Sequence, residues 1–153
     1  MGAEKGIMLS GMTRDQKVAD FPGQSLQPAD AILITSDLQF MAVLTELSLW
    51  DNKIGPEGAI AIAEALKVNT VLTNLELSWN KIGDEGAKAI AEALKVNAVL
   101  TSVNLWANSI GGDGAKAIAE ALKVNAVLTN LDLFNNSIGA EGCLLYTSPS
   151  PRD

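Results

Sequence analysis

Residues 72–127 read LTNLELSWNKIGDEGAKAIAEALKVNAVLTSVNLWANSIGGDGAKAIAEALKVNAV. The stretch contains two units of 28 residues, 72–99 and 100–127, which differ at eight positions and agree at the other twenty. Related units begin at Leu44 and Leu128, so the units restart every 28 residues. Self-similarity at one fixed period predicts a repeat architecture, in which each unit buries its apolar face against its neighbours.

The first half of each unit alternates between apolar and polar residues. Leu75 and Leu77 fall on one side of an extended chain, whereas Asn74, Glu76 and Ser78 fall on the other. This alternation predicts a short strand with one buried face. We expect strands near residues 46–50, 74–78, 102–106 and 130–134.

The second half of each unit has helical spacing. Ala87, Ile90, Ala91 and Leu94 recur at the i, i+3, i+4 and i+7 positions of one helical face. The pattern predicts helices near residues 57–68, 85–96 and 113–124. A partial unit at 128–142 contains the strand half and the start of the next helix half.

Characteristic residues also recur where the strand half of each unit meets its helix half. An asparagine recurs at each strand end, where its side chain can bond loop backbone groups that the sheet leaves open: Asn52, Asn80, Asn108 and Asn136. A glycine recurs where each helix starts: Gly55, Gly83, Gly111 and Gly139. Acids follow, and they suit the positive end of a helix dipole: Glu57, Asp84, Glu85, Asp113 and Glu141.

Stacked strand–helix units predict the overall shape. Helices are about 10 Å wide, whereas neighbouring strands lie about 4.8 Å apart, so the stack must curve with its strands on the concave face. The predicted fold class is therefore an α/β solenoid with parallel strands inside and helices on the convex face. The side chains expected to be buried between units are Leu47, Leu49, Leu75, Leu77, Leu105, Leu131, Leu133, Ile62, Ile90 and Ile118.

The pattern LxxLxLxxNxIGxxGAxAIAEAL resembles the ribonuclease-inhibitor-like class of leucine-rich repeats. The resemblance covers residues 44–142 and is closest in style to the repeat region of NOD-like receptors. The same class includes the Ran GTPase-activating protein. Because these relatives share a scaffold and not a task, the resemblance implies a fold more than a function.

The two ends depart from the repeat. Residues 28–43 align with 56–71 at several apolar positions, which predicts a diverged helix that caps the first strand. Residues 1–27 lack periodicity and are expected to form a flexible leader. Residues 143–153, CLLYTSPSPRD, can be read codon for codon from a transposase-type sequencing adapter, so we expect them not to be native. We therefore expect a fragment of a longer protein that self-associates through its uncapped C-terminal end.

Composition narrows the class of protein. With one cysteine and no histidine, a disulfide framework or a Cys/His metal site is excluded, and no cofactor is expected. The net charge of −7 argues against a nucleic-acid partner, which needs a basic surface. No apolar run approaches the length that spans a bilayer, so no membrane contact is expected and a cytoplasmic setting is the default.

The outward strand positions are the candidate partner-binding site. The expected binding residues on the concave face are Glu46, Ser48, Trp50, Asp51, Asn74, Glu76, Trp79, Asn104, Trp106, Asn130, Asp132 and Phe134. Exposed aromatics among polar neighbours serve as anchors in protein interfaces. The alternative is that the aromatics only stack on one another. The acids and the lack of a basic residue in the outward columns predict a protein partner with a basic, partly apolar surface.

Catalysis has little support, and no catalytic residue is assigned. Without histidine, a nucleophile–histidine pair is impossible. Two alternatives to a protein-binding module stay open. One is a GTPase-activating protein of the Ran-GAP-like repeat class, although residues 44–142 contain no arginine to reach a phosphate. The other is a purely structural spacer.

Overall fold

The computed structural model of the protein describes residues 10–138, which alternate short strands and helices. Its elements in chain order are β1 (Val18–Asp20), α1 (Pro28–Leu38), β2 (Glu46–Ser48), α2 (Gly55–Leu66), β3 (Asn74–Glu76), α3 (Gly83–Val96), β4 (Ser102–Asn104), α4 (Gly112–Leu122) and β5 (Asn130–Asp132). The strands and helices of the repeats lie where their sequence pattern predicted them. The predicted α/β solenoid is therefore confirmed.

The strands form one parallel sheet in the order β1-β2-β3-β4-β5. Each strand pairs with the strand of the next unit at a register equal to the repeat length, as Glu46 does with Asn74 and Ser102 with Asn130. Backbone bonds between units continue past the three-residue strands, since the Leu49 nitrogen donates to the Glu76 oxygen. Equivalent residues of successive units consequently line up in columns across the sheet.

The core lies between the sheet and the helices. Leu75, Leu77 and Ile90 are fully buried, and nearly all the side chains expected to be buried between units are buried. The exception is Leu131, which is only partly buried because β5 is the last strand of the described residues. Within residues 10–138, no helix combines the length and the apolar character that crossing a membrane requires.

Neighbouring helices approach closely at a glycine. A Cβ added at Gly86 in α3 would lie 2.9 Å from the Ala59 Cβ in α2, and one at Gly114 would lie 3.0 Å from the Ala87 Cβ. Real Cβ atoms do not come this close, so a larger residue would push the units apart. These glycines, together with the alanines they face, set the separation of the helices.

The helix starts follow two patterns. Gly55 and Gly83 adopt positive φ, and their nitrogens donate to the Asn80 and Asn108 oxygens of the next unit. The Gly111 nitrogen instead donates to Oδ1 of Asp84 in the preceding unit, at 2.7 Å. Asp84 was expected to suit the dipole of its own helix, and the structure shows that it also caps the next one. The corresponding Gly139 and Glu141 lie outside the described residues.

The N-terminal prediction is wrong for part of its range. Val18–Asp20, inside the expected flexible leader, forms β1 and pairs with β2, and Ala19 is fully buried. The segment is a diverged unit in which Ala19 and Phe21 stand where the next unit has leucines, so the leucine pattern misses it. As a result α1 does not cap the first strand but connects β1 to β2. Residues 1–9 and 139–153, with the proposed adapter segment, lie outside the described residues.

Candidate protein-binding site

The outward faces of the strands form two complete columns on the concave face. The first column contains Val18, Glu46, Asn74, Ser102 and Asn130, and the second contains Asp20, Ser48, Glu76, Asn104 and Asp132. The binding residues expected from the sequence include three members of the first column and four of the second, and Ser102 completes the first column on the same strands. The sequence pattern missed Val18 and Asp20, because β1 was not recognised as a strand.

A third column follows the strands and carries the aromatic side chains. Trp50 is 44% exposed and Phe134 is 69% exposed, whereas Trp106 is half-buried. Ser78, on the unit between Trp50 and Trp106, is only 2% exposed. It was expected to face outward, but its small side chain lies at the floor of a groove that both tryptophans line.

The second column is held in place by its own hydrogen bonds. Oε1 of Glu76 accepts from the Ser78 nitrogen at 2.9 Å, and Oε2 accepts from Nδ2 of Asn104 at 3.0 Å. Oδ1 of Asn104 accepts in turn from the Trp106 nitrogen at 2.9 Å. Asp132 binds the Phe134 nitrogen in the same way. The polar floor of the concave face is therefore arranged before any partner binds.

Trp79 does not lie in the same groove as Trp50 and Trp106. It has a positive φ of 59° and lies on the loops beyond the strand ends. There it lines a separate rim groove together with Asp51, Lys53 and Lys81. The structure thus divides the predicted site, with Asp51 and Trp79 on the rim and the other ten residues on the strands or just after them.

One aromatic pair stacks as the alternative interpretation expected. The rings of Trp79 and Trp106 are 5.4 Å apart between centroids and meet edge to face at 78°. The Trp79 nitrogen also donates to the Trp106 oxygen at 3.0 Å. Edge-to-face pairs of this kind are favourable, so Trp79 restrains the ring of Trp106. Trp50 and Phe134 remain substantially exposed on the concave face.

The rim loops rest on a buried ladder of asparagines, as predicted. Nδ2 of Asn80 donates to the oxygens of Leu49 and Leu77, and its Oδ1 accepts from the Ile54 nitrogen. Asn52, Asn108 and Asn136 bond neighbouring backbone groups in similar ways. A second ladder was missed: Nδ2 of Asn97 donates to the Leu66 oxygen, and Asn125 repeats the bond one unit later. The LKVN sequence that ends each helix half could have revealed it.

The charges of the two grooves differ in sign. The outward columns of the five strands contain the acids Asp20, Glu46, Glu76 and Asp132 and no lysine or arginine. The rim groove contains Lys53 and Lys81 beside Asp51. Within the described part of the chain, no three Asp, Glu, His or Cys side chains gather as a metal site requires.

Comparison with known proteins identifies a matching family and solved structures of the same architecture. The family model of the TMOD/LMOD leucine-rich domain matches residues 41–141. A solved structure described as leiomodin-1 actin-binding site 2 is 27% identical, covers 88% of this chain and 78% of its own, and superposes with a TM-score of 0.77. No curated protein matches the chain significantly. The leucine-rich-repeat prediction is confirmed, and the finer resemblance to NOD-like receptors stays a prediction.

Proposed function

The chain belongs to the TMOD/LMOD leucine-rich domain family, and from this premise we propose that it is a protein-binding module whose partner is actin. The observation that carries the proposal is the similarity to leiomodin-1 actin-binding site 2, which extends over most of both chains. Shared scaffold alone would not identify a partner. The family match and the named structure point to the same kind of protein, so actin is the partner to test first.

We propose that the partner binds the concave face. The support is geometric: Trp50 and Phe134 are exposed large apolar groups beside fixed polar groups such as Glu76. Protein interfaces use aromatic anchors of this kind, and groups already ordered lose little entropy on binding. The binding residues proposed are the strand-borne members of the predicted set, with Asp51 and Trp79 contributing from the rim.

The negative charge of the concave face predicts the charge of the partner's contacting patch. Asp20, Glu46, Glu76 and Asp132 make it acidic, so the contacting patch of the partner should be basic and partly apolar. Exposed charges of this type mainly speed the encounter and exclude wrong partners, while the aromatic contacts supply most of the affinity. We propose no catalytic residue, cofactor, nucleic-acid contact or membrane contact.

The test is equilibrium binding of the full chain to purified monomeric and filamentous actin. Saturable binding to either form is the expected result. Absence of binding to both forms would contradict actin as the partner and leave the structural-spacer alternative. Stimulation of GTP hydrolysis by a small GTPase, abolished by changes on the concave face, would instead make the chain a GTPase activator.

Two further points concern location and assembly. A cytoplasmic location follows from a cytoskeletal partner. Self-association through the end surface of the last unit, near Leu131 and Leu133, stays a prediction of the sequence analysis. Sedimentation of the chain at increasing concentration would test it, since a monodisperse monomer throughout would contradict it.

A further inference from the structure

We propose that the groove between Trp50 and Trp106 is a subsite for one arginine side chain of the protein partner. The inference rests on the proposed function, because it concerns the chemistry that the same concave face recognises. It assigns a specific occupant to one part of that face. The occupant follows from the width of the groove, the charge of its floor and the rigidity of one wall.

The spacing of the two tryptophan backbones leaves room for a guanidinium between them. Trp50 and Trp106 occupy equivalent positions two units apart, and Ser78 lies between them on the floor. Neighbouring parallel strands are about 4.8 Å apart, so the two tryptophan backbones are separated by about 10 Å. A planar group stacked between two rings needs roughly 7–8 Å, since each atom contact is about 3.5–4 Å.

Ser78 keeps the groove open. Three other units carry a large aromatic in this column, namely Trp50, Trp106 and Phe134, whereas the unit of β1 carries Pro22. An aromatic at position 78 would occupy the space between the two tryptophans. The serine is 2% exposed and forms the floor instead. The groove therefore exists because one unit departs from the pattern of its neighbours.

The floor supplies negative charge that no side chain of the described residues neutralises through an ion pair. Glu76 and Asp20 both line the groove. The ion pairs within residues 10–138 all lie on helices or at their C-terminal ends, between lysines and glutamates three residues apart, and involve neither acid. Each Glu76 oxygen accepts one internal bond and retains capacity for another. The carboxylate is thus held in one orientation toward the groove it lines.

Arginine fits this environment better than lysine does. Its planar guanidinium stacks on aromatic faces, offers several donors to a carboxylate, and is more weakly hydrated than an ammonium. Cations are also attracted to tryptophan rings within about 6 Å of the centroid. The Trp79 contact restrains Trp106 before binding, so one wall of the groove is already in place. Trp50, the other wall, is 44% exposed.

The test uses small probes that contain no actin. N-acetyl-arginine amide is titrated into the full chain while the indole N–H resonances of Trp50 and Trp106 are followed by NMR. Both resonances should shift together and saturate. N-acetyl-citrulline amide, which replaces the guanidinium by a neutral urea of similar shape, should bind about tenfold more weakly because the cation–π and charge contributions are absent.

Variants separate the subsite from the rest of the face. Ser78→Trp should abolish the saturable shifts by filling the groove. Glu76→Gln, which keeps an acceptor for the Ser78 nitrogen, should weaken the arginine probe but not the citrulline probe. The matched control is Glu57→Gln, which removes the same charge from an exposed acid on α2, outside the groove and outside the proposed binding set. If Ser78→Trp fails to fold, as judged by circular dichroism, Glu76→Gln still decides the matter.

The outcomes distinguish this inference from the proposed function. Shifts that do not saturate, or equal affinity for the two probes, would overturn the arginine subsite even if actin binds. Saturable, guanidinium-dependent shifts would support the subsite even if actin does not bind. Binding of the wild-type chain and of Ser78→Trp to actin with equal affinity would show that the groove takes no partner side chain.

Discussion

The Asn80 backbone nitrogen donates a hydrogen bond to Oδ1 of Asn108, 2.9 Å away and 28 residues further along the chain. The bond connects the loop of one unit to the side chain of the next, and both residues are fully buried. The same bond joins Asn108 to Asn136 at 2.7 Å. Each unit therefore depends on its successor to complete its loop, and the rim that carries Trp79 depends on this ladder.

Replacing Asn80 by alanine should destabilise the chain by about 1–3 kcal/mol. The change leaves the buried Ile54 nitrogen without its acceptor, and an unsatisfied buried group costs roughly 1–3 kcal/mol. It also removes one of the two side-chain donors from each of the Leu49 and Leu77 oxygens, which keep the bonds from Asn52 and Asn108. Urea denaturation measures the loss. The control is Thr70→Ala, an exposed position at which the next two units already carry alanine. A loss below about 1 kcal/mol for Asn80→Ala would contradict the ladder's role.

The burial of Leu77 in the core predicts a second loss of stability. This side chain is fully buried between sheet and helices, so Leu77→Ala should cost roughly 2–5 kcal/mol through the cavity it leaves. The comparison is Val96→Ala at a side chain that is 62% exposed. The free energy of unfolding should change little in that variant. Similar losses for both variants would mean that Leu77 does not pack as the structure shows.

Asp84 should stabilise the helix that follows its own. Its Oδ1 accepts from the nitrogens of Gly111 and Gly114 at 2.7 and 3.0 Å, and both belong to the start of α4. Asp84→Ala should therefore cost about 1–2 kcal/mol, the usual range for a lost helix cap. The neighbour Glu85 makes only an exposed ion pair with Lys88, so Glu85→Gln should change stability by less than about 0.5 kcal/mol. Equal effects would contradict capping between units.

Much of the fold and part of the site could be predicted from the sequence. The repeat length equals the sheet register, so the columns of Glu46 and Ser48 follow directly from counting along the chain. β1 could not be found this way, because Ala19 and Phe21 replace the leucines that mark a strand. Ser78 was misjudged because its burial depends on the bulk of Trp50 and Trp106 in other units.

The division of the site into two grooves was also beyond the sequence. Trp79 directly follows Ser78, and alternation alone does not show where its ring lies. Its positive φ moves it to the rim, where it meets Trp106. Asp84 is a similar case, since the backbone nitrogens that donate to its carboxylate belong to a different unit from its own helix. The local sequence pattern identifies the repeat units, whereas contacts between units decide which side chains remain exposed for a partner to bind.

Added salt should lower the association rate constant of the partner. The concave columns carry acids and no base, so attraction to a basic patch is screened as ionic strength rises. The association rate constant for actin should fall with added salt, while the dissociation rate constant changes less. Stopped-flow mixing at several salt concentrations gives both. An association rate that rises with salt would indicate repulsion and contradict a basic contact surface.

The most direct test of the account compares actin binding by two single variants. Trp106 lines the concave groove beside the acidic floor, whereas Lys116 is exposed on α4. Trp106→Ala should weaken binding by about 2 kcal/mol or more, as an anchor would, and Lys116→Ala should leave it unchanged. Calorimetric titration of each folded variant with actin gives the affinities. A larger loss from Lys116→Ala would place the interface on the convex side, and equally small losses from both would contradict concave-face binding.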